Sequence, residues 1–392
     1  MHEVLERIDK YADEFAATMQ EAEDLGRLPD ANAERMREIG VVRMLQPADL
    51  GGLETHPVDF LEAVMRLGSY SGPAGWVAGV VGLHAWEVAQ MERSVQEQVW
   101  GENPDTWVAS PYTPMGRARR VDGGFVFNGR WQFSSGTDHC RWAFLGGLEL
   151  DVDNPKTLHF LLPRGDYEVI DGTWDVMGLM GTGSKDVEVK DAFVPFERVV
   201  VFDDLFHGVQ ADKVGREGAL YRLPYIVMFP AAITAQTLGI AEGALASFVA
   251  WSRERVTRNQ GRISQNPYQL ATLGAAAADI QASRLQVLDD VARVFDDVAA
   301  GREISIERRL EVRRNQVRAS RRAVEAVDQL FIHAGGTAIR RGNPLQHFWR
   351  DAHAALNHVT NVSEPIYQGY GLNLFGHEVP ASLRMGPATR ER

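Results

Sequence analysis

The chain has 392 residues, a net charge of −12 and one cysteine, Cys140. Such a length can bury a large core and suggests two or three domains. The acidic balance argues against a general nucleic-acid or membrane-surface role, both of which need a positive field, and a lone cysteine excludes an internal disulfide framework.

Val4, Ile8, Tyr11, Phe15 and Met19 recur at helical steps, so the chain is expected to begin with amphipathic helix. Met1-His2-Glu3 leads into that helix without a basic-then-apolar export signal, and the expected location is cytoplasmic. Pro29-Asp30 predicts the start of a second helix that Gly40 ends, Pro57 opens a third, and Pro73 to Gln90 reads as a fourth, almost wholly buried one. Near Trp107 the pattern turns to strand. Asp122-Gly123 is a hairpin signal, and Trp142 to Leu148, Leu158 to Leu162 and Val187 to Val194 read as further strands. From Phe229 on, long helical patterns over 230–257, 266–300, 303–334 and 344–361 are broken at Gly261, Gly301 and Gly335-Gly336, which favours a helix bundle. Apolar runs such as Ala231 to Ala235 are too short and interrupted to predict a membrane span. The expected α+β organisation is an N-terminal helical domain (1–104), a β-barrel or sandwich domain (105–210) and a C-terminal four-helix bundle (211–392).

Several patterns have plain structural readings. Gly178-Leu179-Met180-Gly181-Thr182-Gly183 superficially matches a dinucleotide fingerprint, but strands follow it where a helix should open. No site of the chain's own for NAD(P)H is therefore expected. The arginines from Arg308 to Arg322 read as a solvated or intersubunit helix face, with flavin-phosphate contact as the alternative. His347 and Asp351, four apart on a helix, read as a satisfied polar pair, and no metal is expected. His84, alone on an apolar helix, and Ser134 and Ser135, at a strand end, would each pass as core or turn residues.

Two segments change that reading. Asn128-Gly129-Arg130-Trp131-Gln132-Phe133-Ser134-Ser135-Gly136 and Met177-Gly178-Leu179-Met180-Gly181-Thr182-Gly183-Ser184, in a β-rich stretch flanked by helical sequence, together resemble the flavin-facing β-domain of the acyl-CoA dehydrogenase superfamily. Gly335-Gly336 followed by Arg350-Asp351-Ala352 resembles its C-terminal Arg-Asp-Ala segment. Many acyl-CoA dehydrogenases place a catalytic glutamate shortly after that aspartate; here the stretch reads Ala355-Leu356-Asn357-His358-Val359, without a carboxylate.

Within the superfamily the whole chain is most similar to the oxygenase components of two-component flavin-dependent phenol hydroxylases. It resembles those acting on 3-hydroxy-9,10-secosteroid phenols more than the p-hydroxyphenylacetate hydroxylase oxygenases. The resemblance extends to the Ser-Ser-Gly-x-Asp-His run, Ser134 to His139.

The resemblance implies His84, Ser110, Ser135 and His358 as catalytic groups, with His84 and Ser110 turning the phenol into phenolate and Ser135 and His358 holding a C4a-hydroperoxyflavin. It implies Trp131, Phe133, Ser134, Ser135, Arg255, Arg258, Gly335 and Gly336 as flavin contacts, although the local pattern at Arg255 and Arg258 departs from the usual Arg-x-x-Phe-Gly form. It further implies reduced FAD or FMN as cofactor, supplied by a separate NAD(P)H-dependent reductase, with O2 as cosubstrate, and a homotetrameric assembly. The expected product is an ortho-hydroxylated phenol; the alternatives are sulfur or nitrogen oxygenation on the same fold, or acyl-CoA dehydrogenation. A histidine of ordinary pKa about 6.5 suits phenol deprotonation near neutral pH. Trp86, Trp107, Tyr112 and Trp142 add aromatic density around these motifs.

Overall fold

A computed structural model describes residues 2–150, 152–253, 255, 256 and 261–384. Helices precede and follow one eight-stranded sheet. The first amphipathic pattern is divided at Tyr11 and Thr18 into Glu3–Lys10, Ala12–Ala17 and Met19–Leu25. Helix Asp30–Ile39 ends at Gly40, whose φ of 83° closes it in the left-handed conformation that glycine tolerates.

Helices Pro57–Tyr70 and Gly72–Val88 pack on the long helix Tyr225–Arg253. Small residues make that packing close. A Cβ at Gly79 would meet Gln236 Nε2 of the long helix at 2.0 Å, and between the two shorter helices one at Gly75 would meet the Gly68 Cα at 2.4 Å. Every residue of Gly72–Val88 is buried, so its polar side chains are held in a dry interior.

The strands are β1 (Val108–Ala109), β2 (Gly116–Val121), β3 (Gly124–Ser134), β4 (Trp142–Glu149), β5 (Thr157–Pro163), β6 (Glu168–Ile170), β7 (Lys185–Pro195) and β8 (Val199–Val201). Their order is β6-β7-β3-β2-β4-β5-β8, with β1 parallel to β4. β2 and β3 form the hairpin read at Asp122-Gly123. Pairing of β3 with β7 shifts register between Trp131 and Ser134, where Phe133 takes φ +70°. This irregularity interrupts the strict alternation of faces that a flat strand would impose.

Tyr225–Arg253, Pro267–Ala299, Ile306–Ala334 and Pro344–Leu356 form the C-terminal bundle, with Ser363–Leu374 against Ile306–Ala334. Tyr225–Arg253 begins before the expected boundary because Pro230 lies inside it rather than at its start. By length and composition this helix is apolar enough to cross a membrane, contrary to the sequence expectation, but 89% of its most apolar window is buried in the protein, as a core helix would be.

Helix Pro344–Leu356 joins the other parts through Asp351. Its carboxylate accepts the Leu179 N–H at 2.6 Å and lies against Gly72, where a Cβ would meet Oδ2 at 2.4 Å. Burial raises the Asp351 pKa to about 7, with the Leu179 hydrogen bond opposing. A carboxyl raised in this way is most favourable to folding when protonated, so its contribution falls as pH rises from the unfolded value of about 4 through about 7. Asp351→Asn, which keeps an acceptor for Leu179, is expected to flatten the melting temperature against pH over that window. Asp351→Ala should cost about 1–3 kcal/mol by stranding the buried N–H. Thermal melts across pH check both.

Candidate active site

The two glycine-containing segments meet side by side. Gly136 N–H donates to Thr182 O at 2.8 Å, and the Ser135 and Ser184 hydroxyls lie 2.7 Å apart. Thr182 continues the chain to Ser184 at 2.7 Å, and Trp76 Nε1 donates to Ser135 Oγ at 3.2 Å. Ser135 is thus a buried hydroxyl at the junction of β3, the loop before β7 and helix Gly72–Val88. Ser134 Oγ is buried without a hydrogen-bond partner among the described residues.

From Trp76 an aromatic wall runs onward. The His358 ring lies 5.8 Å from Trp76 and 5.7 Å from Phe229, Tyr112 lies 5.6 Å from Phe229, and His84 lies 5.4 Å from Tyr112. Ser110, just beyond β1, adjoins the Tyr112 hydroxyl. One continuous cluster therefore contains His84, Ser110, Ser135 and His358. His358 lies beyond the helix on which it was expected: Pro344–Leu356 ends first, and His358 caps the short turn Val359–Asn361.

The two histidines carry their protons on different nitrogens. His84 Nδ1 lies 2.5 Å from Val108 O, and a carbonyl only accepts, so Nδ1 holds the proton and Nε2 presents a lone pair. That Nε2 is buried and has no partner among the described residues. His358 Nδ1 accepts the Thr360 N–H at 3.3 Å, which leaves the proton on Nε2. The first is an acceptor and the second a donor. Burial lowers the His84 pKa to about 4 and does the same to His358, where the nearby Arg313 charge adds to it.

The remaining expected contacts divide. Phe133 is 65% exposed and lies edge-on to Trp174 at 6.1 Å, leaving ring surface for a planar ligand. Trp131 is buried in the sheet's interior, donating to Thr113 O at 3.1 Å and Gly146 O at 2.9 Å and packing on Phe127. Arg255 donates to Ala334 O beside Gly335, at a surface cavity of about 390 Å³ lined by Ala250, Trp251, Arg255 and Thr337; Gly336 follows in the same turn. Arg258 lies outside the described residues.

Arg314, Arg318, Arg321 and Arg322 line a separate cleft of about 1150 Å³, whereas Arg313 turns inward to Thr360 O at 2.7 Å, behind the His358 turn. His347 pairs with Glu23 at 2.5 Å. Trp86 and Trp107 are core residues, and Trp142 lies under Arg198. Sequence reading missed Trp76, Phe229, Tyr225, Glu87 and His159. Of these, Glu87 in the apolar helix Gly72–Val88 and His159 in the apolar run of β5 each leave a local signal.

The chain resembles known proteins over nearly its whole length. A family model for the acyl-CoA dehydrogenase C-terminal domain matches residues 231–362. The pigment production hydroxylase of Rhodococcus erythropolis is 47% identical over 388 residues, covering 98% of this chain and 99% of that protein. The flavin-dependent monooxygenase oxygenase subunit HsaA of Rhodococcus jostii is 39% identical, covering 95% of this chain and 98% of its own. The crystal structure of 3-HSA hydroxylase from Rhodococcus sp. RHA1 superposes with a TM-score of 0.92 at 38% identity, covering 97% of this chain and 99% of that one. The chain belongs to the flavin-dependent monooxygenase oxygenase components of acyl-CoA dehydrogenase fold. It is an enzyme that uses reduced flavin and O2. The buried hydroxyls beside an exposed aromatic ring suit the flavin of this family.

Because His84 and His358 are harder to protonate in the folded chain than unfolded, their contribution is fully present above about pH 6.5 and is lost as pH falls toward about 4. His84→Asn, whose amide can still donate to Val108 O, should lessen acid destabilisation in that window. Melts at pH 7 and pH 5 for both proteins measure it.

Proposed function

We propose that this oxygenase hydroxylates a bulky phenol at the carbon next to its hydroxyl, and that His84 takes the phenol proton. The observation that carries the reading is the buried Nε2 of His84, without a partner among the described residues, on a ring 5.4 Å from Tyr112. Bound reduced flavin supplies the activated oxygen from O2. Ser135, Ser134, Phe133, Arg255, Gly335 and Gly336 are the groups assigned to hold the flavin. The phenol lies along Tyr112 and Phe229, with its hydroxyl toward His84 and Ser110. Deprotonation raises the nucleophilicity of the ring carbon, while the Nε2–H of His358 donates from the other end of the wall. The dry surround limits unproductive release of hydrogen peroxide.

Support for an aromatic substrate comes also from the relatives, among them a resorcinol hydroxylase oxygenase component from Rhizobium. A separate flavin reductase, a cytoplasmic location and a homotetramer complete the proposal. The decisive experiment supplies chemically reduced flavin, air and a panel of phenols to the purified chain and assays catechols. Product without any reductase, and no NADH oxidation by the chain alone, is the expected result.

His84→Asn should lower hydroxylation by about 10²–10⁴-fold while flavin oxidation continues and ends as hydrogen peroxide. Stopped-flow absorbance with product analysis separates the two, and loss of flavin oxidation instead would remove His84 from the phenol. Ser135→Ala should raise the peroxide yield, with an effect of about two- to tenfold for a net hydrogen bond of about 0.5–1.5 kcal/mol. Ser134→Ala should do less, since its hydroxyl lies outside the Trp76–Ser135–Ser184 chain. Equal peroxide yields from the two variants would reverse the assignment.

A further inference from the structure

A second polar group lies behind the phenol-facing wall. Glu87 and His84 are three residues apart on helix Gly72–Val88, hence on one face, and both are fully buried. Glu87 Oε1 is 2.6 Å from His159 Nδ1 on β5, while its Oε2 has no hydrogen-bond partner among the described residues. Tyr112 connects the two sites, stacked on His159 at 4.6 Å and edge-on to His84 at 5.4 Å. The titratable groups facing Glu87 are His84 from its own helix, His159 from β5, Tyr112 from the segment after β1 and Tyr225 from Tyr225–Arg253.

A carboxylate buried this deeply is expensive when only the His159 imidazole and the Tyr112 hydroxyl lie beside it. Packing alone gives no reason to retain it. We propose that Glu87, held by His159, is the buried counter-charge for His84: a positioning residue that acts through that imidazole when the phenol gives up its proton. This rests on the phenol hydroxylase reading above. In the step, the phenol O–H bond breaks and an N–H bond forms at His84 Nε2. The bonding pair stays on oxygen as phenolate, and no oxidant or reductant takes part.

His84 needs such help. Burial is the main influence drawing its pKa down; the hydrogen bond to Val108 and the Glu87 charge oppose it, and His159 adds to the lowering. The dryness that protects the oxygenation chemistry thus weakens the base, and a nearby negative charge restores part of its strength.

The test uses the full chain and two variants, Glu87→Gln, nearly isosteric but uncharged, and Glu87→Asp, which keeps the charge. With 4-nitrophenol as probe, the phenolate absorbance of the bound ligand should appear roughly one to two pH units higher in Glu87→Gln than in wild type. With reduced flavin and a phenol that the wild type hydroxylates, Glu87→Gln should lose roughly ten- to hundredfold of hydroxylation at neutral pH. The loss should shrink toward pH 10, flavin oxidation should be unchanged, and Glu87→Asp should recover much of the rate. A loss equal at every pH, an aspartate no better than glutamine, or an undiminished effect in a His84→Asn background would overturn the counter-charge. If the wild type hydroxylates no phenol, the functional reading falls first and this inference with it; a silent glutamine variant of an active enzyme defeats the inference alone.

Discussion

The buried carboxylate of Asp351 is the joint on which the site depends. It is fixed on the bundle helix Pro344–Leu356, accepts the Leu179 N–H of the β-side loop, and abuts Gly72 at the start of the helix that carries His84. Leu179 has φ +54°, and Gly178 sits where a Cβ would meet Arg350 O at 2.2 Å. Glu23, from the N-terminal helices, closes the same junction by binding His347 and Arg350. Three parts of the chain, distant in sequence, are thus held at one point. His84 leaves it along one helix, Ser135 meets the loop that it anchors, and His358 follows the helix that bears it. A buried acid is costly to ionise, so this joint fixes geometry rather than adding much net stability.

Once that geometry is set, burial determines what the imidazoles do. Both are drawn toward a pKa of about 4 and are neutral at neutral pH, so neither acts as a resident cation. Their roles are set by the partner of Nδ1: a carbonyl for His84, an amide N–H for His358. Two residues of one type become an acceptor and a donor through backbone contacts alone. The same dry surround that excludes water weakens the acceptor, and a counter-charge within the fold is a physical means of relieving that conflict.

How much of this was legible in the sequence follows from the range of each interaction. Gly40 and the Asp122-Gly123 turn are local, and their elements form as the pattern predicts. The helix expected over 230–257 instead spans Tyr225–Arg253, with Pro230 buried inside it, so its first turn precedes the apolar pattern that marked it. The clustering of His84, Ser110, Ser135 and His358 came from resemblance, not spacing, since 26 positions separate His84 from Ser110 and 223 separate Ser135 from His358. Glu87 and His159, 72 positions apart, left no joint signal. Trp131 and Phe133 show a subtler limit. They share a strand, but the register shift and the positive φ at Phe133 expose that ring while Trp131 is buried in the sheet.

The absence of a carboxylate after the Arg350-Asp351-Ala352 segment acquires a physical sense in this setting. The turn beyond Leu356 is backed by Arg313, a buried guanidinium held by Gln316 and by Thr360 O. Beside that charge a carboxylate would be stabilised as the anion and would make a weak base. A neutral imidazole in the same place is instead kept from protonating, and with Nδ1 occupied by Thr360 it offers only an N–H. On the proposed reading, the dehydrogenase position becomes a donor, and proton abstraction is assigned to His84 across the aromatic wall. Separating the two tasks lets the group that donates at one end differ from the group that accepts at the other, within a single dry enclosure.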